Sequence, residues 1–195
     1  VPSLFGILLL SEEIISFLFY RGAFGIDDVI LTAKALVALG FGLPAFIMIK
    51  ILVVPFFANE NTKTPIKISL FCIAINLILN LILIGHFLHV GLAIATSVSA
   101  WINMTILIYF LVTYEKYSFD KSIFTLIFKV LLASTMMAIA LYLVMDKGIL
   151  SFIGLDLINE NILLIITIIL GLLTYLISSY IIGVEKPYDK KWRQE

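Results

Sequence analysis

Residues 66–113 read "IKISLFCIAINLILNLILIGHFLHVGLAIATSVSAWINMTILIYFLVT". Two apolar runs, 66–85 and 91–113, flank the short stretch "IGHFLHVG" at 84–91. A helix rising 1.5 Å per residue needs about 20 apolar residues to cross a hydrocarbon core of roughly 30 Å. Each run has that length. The link between them allows only a tight reversal. Inside lipid, backbone polar groups must be satisfied internally, so a span is a helix or a strand of a closed barrel. Barrel strands alternate apolar and polar residues. These runs are continuous, so each predicts a membrane-spanning helix.

Working outward, four more segments follow the same pattern. The first covers about 1–20 and is interrupted by Ser11-Glu12-Glu13. The second covers about 29–57 and is long enough to tilt or kink. The last two cover about 122–145 and 161–183. The fold class expected is all-α, a polytopic membrane protein with six transmembrane helices. Composition agrees. Of 195 residues 62% are hydrophobic and 13% charged, against roughly 25% charged in soluble domains. Mean hydropathy is +1.15. The chain opens on Val1 inside an apolar run, with no charged leader before it, and reads as a piece of a longer protein.

The turns carry their own signals. "RGAFGIDD" (21–28) offers two glycines and two aspartates able to cap the second helix. "NENTKTP" (59–65) places a proline near the start of the third. Lys63, Lys67, Lys116, Lys121, Lys129, Lys186, Lys190, Lys191 and Arg193 fall on one side of the alternating spans, and Arg21 and Lys147 on the other. Nine against two predicts that the 58–67 turn, the 114–122 loop and the C-terminus lie in the cytoplasm. The seam falls at 114–122. Residues 1–113 hold four helices, 114–183 two more, and 184–195 form a cytoplasmic tail.

Enzyme signatures are missing. His86 and His89 are three apart in an outer turn with no carboxylate beside them, which is short of a metal site. No nucleophile elbow, P-loop or zincin motif occurs. The single cysteine, Cys72, lies in an apolar run and reads as a small buried hydrophobe. The aromatic residues Phe56, Phe57, Trp101 and Trp192 fit interface belts and packing.

Polar residues within the spans are the functional candidates, because a charge at mid-bilayer costs about 2.5–3.5 kcal/mol on insertion scales. Lys50 and Lys34 each lie where a lysine either snorkels to the interface or faces an aqueous cavity. Glu12 and Glu13 either break the first helix or face a water-filled vestibule. Asn76 and Asn80, four apart, share one face with Ser69 and Cys72. Gly91, Ala95, Ser99 and Asn103 recur every four residues, a small-residue stripe that lets backbones approach closely. The asparagines either hydrogen-bond across a tight helix pair or line an oxygen pocket for a small hard cation.

The order of motifs resembles one family. "FLFYRGAFGIDDVILTAKAL" (17–36), "GLPAFIMIKILVVPFFANENTKTPIKI" (42–68), "NLILN" (76–80) and "GLAIATSVSAWIN" (91–103) together resemble the MurJ (MviN) lipid II flippases of the multidrug/oligosaccharidyl-lipid/polysaccharide exporter superfamily. The resemblance covers residues 1–113 by motif and the last two helices by position and hydropathy. It implies a fourteen-helix protein of which this chain holds helices nine to fourteen. It implies alternating access that carries lipid II, an undecaprenyl-pyrophosphate-linked peptidoglycan precursor, across the bacterial inner membrane, with no enzymatic step. Lys50 matches a basic position of that family, and Lys34, Glu12 and Arg21 are further cavity candidates. Residues 122–145 and 161–183 would form the groove for the lipid tail. The expected partners are lipid II, membrane lipids and an N-terminal lobe of the same protein, with no nucleic acid. No cofactor is expected beyond sodium or the membrane potential as the driving force. The family's sodium site maps onto Asn76, Asn80, the Leu92 carbonyl and Thr96. Asn80 is an amide where a carboxylate is expected, which lowers the charge of that site. The competing readings are an O-antigen-type flippase or drug/cation antiporter of the same superfamily, a non-transporting membrane scaffold, and a membrane acyl- or glycosyl-transferase.

Overall fold

The structure, a computed structural model, describes residues 1–114, 121–145 and 160–184. The 115–120 loop, the 146–159 connection and the 185–195 tail, with Trp192, lie outside the described residues. All regular structure among the described residues is helical. The helices are α1 (Pro2–Phe19), α2 (Ile26–Ala58), α3 (Lys63–Thr113), α4 (Lys121–Met145) and α5 (Glu160–Ile182). All five are long and apolar enough to cross a membrane.

Five helices carry the six expected spans because α3 is two spans in one. Its 51 residues would reach about 76 Å if straight, more than twice the hydrocarbon core. Leu88 breaks it, with φ 50 and ψ −134. That backbone conformation is costly for a bulky residue. The arms on either side, 63–87 and 89–113, run antiparallel. Asn76 of the first arm bonds Ser99 of the second, and Ile68 and Cys72 pack with Leu107 and Leu111. Gly91 makes the reversal possible. A Cβ there would meet the Leu83 carbonyl oxygen at 2.6 Å, so only a glycine lets the second arm start against the first.

Two expectations about the helices change. Glu12 and Glu13 do not break α1, which is continuous through both, and both side chains are exposed. The flanking Leu10, Ser11 and Ile15 are buried, so one helical face packs while the acids occupy the opposite one. Helix α2 starts three residues earlier than hydropathy suggested. Gly25 is its N-cap, and Asp28 accepts the Gly25 N–H at 3.0 Å, so the aspartates extend the helix rather than end the loop.

The ends of α2 and α5 close in the same way. Asn61 N–H reaches the Phe56 carbonyl at 2.9 Å and Glu60 N–H the Phe57 carbonyl at 3.1 Å, a Schellman motif with Glu60 left-handed at φ 57. At α5, Val184 N–H reaches Ser179 and Gly183 N–H reaches Tyr180, with Gly183 at φ 71. The Asn61 side-chain oxygen also accepts the Thr64 N–H at 3.3 Å, capping the start of α3. One turn thus ends α2 and starts α3.

Contacts divide the chain into two compact units. One is Leu10–Phe119; the other is Val1–Leu9 with Asp120–Glu195. In the first, α2 and the two arms of α3 form a three-span bundle. Leu52, Phe56, Ile68, Cys72, Leu107 and Leu111 close one end as a dry core. Near the other end of α2, Ile15 packs with Val29 and Ala33. In the second unit α4 and α5 pair antiparallel. Ser178 faces Ala133, Gly171 faces Leu141, and the Lys129 ammonium reaches the Gly183 carbonyl at 3.3 Å.

Candidate functional site

The second arm of α3 presents two polar faces, and each finds a different neighbour. The small-residue stripe faces the first arm. There the Asn80 amide nitrogen donates to the Asn76 oxygen at 3.0 Å, and the Asn76 nitrogen donates to Ser99 Oγ at 3.1 Å. Ser99 in turn donates to the Thr96 carbonyl at 2.9 Å. The result is one directed line of hydrogen bonds from the first arm into the backbone of the second. Thr96 Oγ is spent locally, donating to the Leu92 carbonyl at 2.8 Å.

The four oxygen candidates for a cation are therefore arranged in two pairs, joined through Ser99. Asn76 Oδ1 and the Leu92 carbonyl already accept hydrogen bonds. Asn80 Oδ1 is buried without a donor among the described residues, and so is Asn103 Oδ1. Even counted together, the four neutral oxygens fall short of the six or so a hard cation gathers. No carboxylate stands among these residues. These residues do not by themselves fit a sodium ion, and no step is derived through one.

The other polar face meets α2. Ser97 Oγ donates to the Ala38 carbonyl at 2.5 Å and Trp101 Nε1 to the Phe41 carbonyl at 2.9 Å. Pro44 follows Phe41 by three residues; it lacks an N–H, so the carbonyl it leaves without a helical donor is that of Gly40, between the two acceptors. Gly42 lets the helices close, since a Cβ there would sit 2.7 Å from Ser97 Oγ. Sequence reasoning treated Trp101 as a belt or packing residue. Its indole is a cross-helix donor, and no local signal in the sequence pairs it with the Phe41 carbonyl.

Beyond these bonds the bundle opens. A cavity of about 680 Å³ lies between α2 and the reversal, with Lys34, Phe41, His86, Leu88 and Trp101 among its walls. Lys34 and His86 are both exposed there. The sequence places His86 in an outer turn, and nothing in it links the residue to Lys34 without the reversal. His89 does not line the cavity.

The remaining cavity candidates stand apart. Lys50 is exposed on α2, sixteen residues from Lys34, or about 24 Å along the helix. The two lysines therefore serve opposite halves of the span. Its neighbours Met48 and Ile49 pack against the closed end. The Arg21 guanidinium donates to the Leu18 carbonyl at 2.8 Å and caps the C-terminus of α1. Glu12 and Glu13 face outward from α1.

Apolar helices of spanning length, joined by short capped turns and bonded to each other through polar side chains, define a multi-pass membrane protein. Residues 1–153 match the sequence profile described as "Lipid II flippase MurJ", and the chain belongs to that family. It is 36% identical over 184 residues to the probable lipid II flippase MurJ of Rickettsia prowazekii, covering 94% of this chain and 36% of that protein. It is 33% identical over 186 residues to the Haemophilus influenzae counterpart, covering 95% and 36%. A solved structure titled "Lipid II flippase MurJ, inward closed conformation" superposes with a TM-score of 0.74 at 30% identity, covering 93% of this chain and 35% of that one. The chain spans a little over a third of the length of the relatives it matches.

Proposed function

We propose that this chain is part of a lipid II flippase, a transporter that makes and breaks no covalent bond. The observation that carries the reading is the superposition of 93% of the chain on a flippase at a TM-score of 0.74. In this reading the protein sits in the bacterial inner membrane with the 59–62 turn and the C-terminus in the cytoplasm. The unequal lysine and arginine count supports that orientation. The physical task is to hold a pyrophosphate away from hydrocarbon while its polyprenyl tail stays in lipid. Lys50 is the residue of this chain assigned to it. An ammonium facing a water-filled cavity replaces part of the hydration a phosphate loses. Alternating access moves the cavity between leaflets, as in other transporters built from two bundles. The other lobe, lipid II and the surrounding lipids are the partners of this reading. The α4–α5 pair serves as the tail groove, and the driving force comes from the membrane potential or an ion held with residues of the other lobe.

The test is a chimera. The matching third of the Haemophilus influenzae relative is replaced by this chain, and the hybrid is expressed in cells depleted of their own lipid II flippase. The expected outcome is restored growth and lipid II translocation, both reduced when Lys50→Ala is introduced at an unchanged membrane level. A hybrid that inserts at normal level and moves no lipid II overturns the reading.

A further inference from the structure

We propose that the trough between α2 and the second arm of α3 is the seat of an anionic phospholipid, its phosphate held by Lys34 and His86 and an acyl chain laid along Trp101. This ligand is a resident of the bilayer rather than a transported substrate, and the proposal stands independently of the flippase reading.

The shape of the trough comes first. The cavity of about 680 Å³ shares Val98 and Trp101 with a second, shallower groove of about 460 Å³. That groove continues along Ile102, Thr105 and Ile106. The two form one track on the second arm. From Val90 to Ile106 it runs sixteen residues, about 24 Å. One leaflet of hydrocarbon is about 15 Å deep, half of the core. The track is long enough for an acyl chain and its glycerol end.

Polarity is confined to one end. Four of the cavity-lining side chains carry polar atoms: Lys34, His86, Ser97 and Trp101. Ser97 and Trp101 are committed to the Ala38 and Phe41 carbonyls. Lys34 and His86 remain as donors at the end near the reversal, and the lower groove offers apolar atoms with one hydroxyl, Thr105, already bonded to the Trp101 carbonyl. An ammonium and an imidazole N–H at one end of an apolar track match a molecule with one phosphate head and a hydrocarbon body.

Charge favours an anionic occupant over a zwitterionic or purely apolar one. Among the described residues, no carboxylate lines either part of the track. The nearest acids on the same helix are Asp27 and Asp28. Asp28 holds the Gly25 N–H, and Asp27 lies seven residues from Lys34, about 10 Å along the axis. A packed apolar helix in this place would leave the Lys34 ammonium against hydrocarbon with no partner, a costly arrangement. A phosphate supplies the partner. Lys34 lies eight residues from the first residue of α2, and its four-carbon stem lets the charge rise toward phosphate level.

The chain has two tryptophans, so Trp192→Phe leaves Trp101 as its sole indole. Trp101 is 42% exposed, enough for a lipid quencher to touch. The full chain carrying Trp192→Phe is reconstituted in phosphatidylcholine vesicles containing an equal minor fraction of either brominated phosphatidylglycerol or brominated phosphatidylcholine. One surface cation is worth about 1 kcal/mol toward anionic lipid, which predicts about a fivefold preference for phosphatidylglycerol in the quenching of Trp101. Lys34→Gln with His86→Gln should bring the two lipids level. Equal quenching by both lipids in the unaltered trough means it meets only bulk lipid, and the proposal fails. No quenching by either means protein covers the trough, and the proposal fails again. The comparison of the two lipids decides the matter even where the double variant does not insert.

Discussion

The three-span bundle and the α4–α5 pair are both packings of spanning-length helices, yet they are held differently. In the bundle, side chains reach across: Asn76 to Ser99, Ser97 to Ala38, Trp101 to Phe41. In the pair, hydroxyls mostly bond their own helix. Ser134 returns to Val130, Thr167 to Leu163, Thr174 to Gly171 and Ser179 to Leu176. The Ser178 contact to Ala133 is long, at 3.4 Å. The bundle is thus specified by bonds with fixed partners. The pair is specified by small residues that let two helices touch. Fixed partners set a register, and they keep Lys34 and His86 beside an open trough. The pair's apolar faces are crossed by two longer bonds, Lys129 to Gly183 at 3.3 Å and Ser178 to Ala133 at 3.4 Å.

The sharpest way to separate the two is to add the same methyl group to each. Gly91→Ala puts a Cβ 2.6 Å from a backbone oxygen that cannot step aside. We expect a loss of about 2–3 kcal/mol, measured by unfolding in mixed micelles followed by circular dichroism. Gly171→Ala meets the tip of Leu141 at 2.9 Å, which a rotamer change relieves, and should cost under about 1 kcal/mol. Equal costs at the two sites would erase the distinction.

Polar deletion should differ in the same sense. Asn76→Leu removes the link between the arms and leaves the Asn80 amide without its acceptor. Cross-helix bonds in membranes average about 0.6 kcal/mol and reach about 1.7, and the upper part of that range is expected here. Ser178→Ala in the pair should change the same unfolding curve by less than its experimental error.

A smaller, local effect belongs to a cap. Lys129 places its ammonium 3.3 Å from the Gly183 carbonyl at the C-terminus of α5. Lys129→Met should cost about 0.3–1 kcal/mol, seen as earlier amide exchange in the last turn of α5. No change there would mean the left-handed Gly183 closes that helix alone.

Much of this architecture was legible in the sequence, because spanning length and the tight link at 84–91 are local signals. The turn at 59–65 was equally legible from its polar run. The partners of individual side chains were not. Spacing put Asn76 and Asn80 on one face, but the register of the reversal chose Ser99 as the residue they meet. Spacing likewise tied Lys34 to its own helix and His86 to its own turn. Only the fold at Leu88 brings them to one cavity. Glu12 and Glu13 left two readings open in the sequence, a break in the helix or a water-filled vestibule. They do not break it, since both lie on the unburied side of α1.

The one-residue reversal at Leu88 also has a mechanical meaning. Adjacent Cα atoms are 3.8 Å apart, and sliding one helix past another by a turn needs 5.4 Å. Leu88 alone stores no such slack between two arms whose helical conformation resumes on either side. The arms are tethered like the legs of a staple. An axial displacement of one carries the other with it.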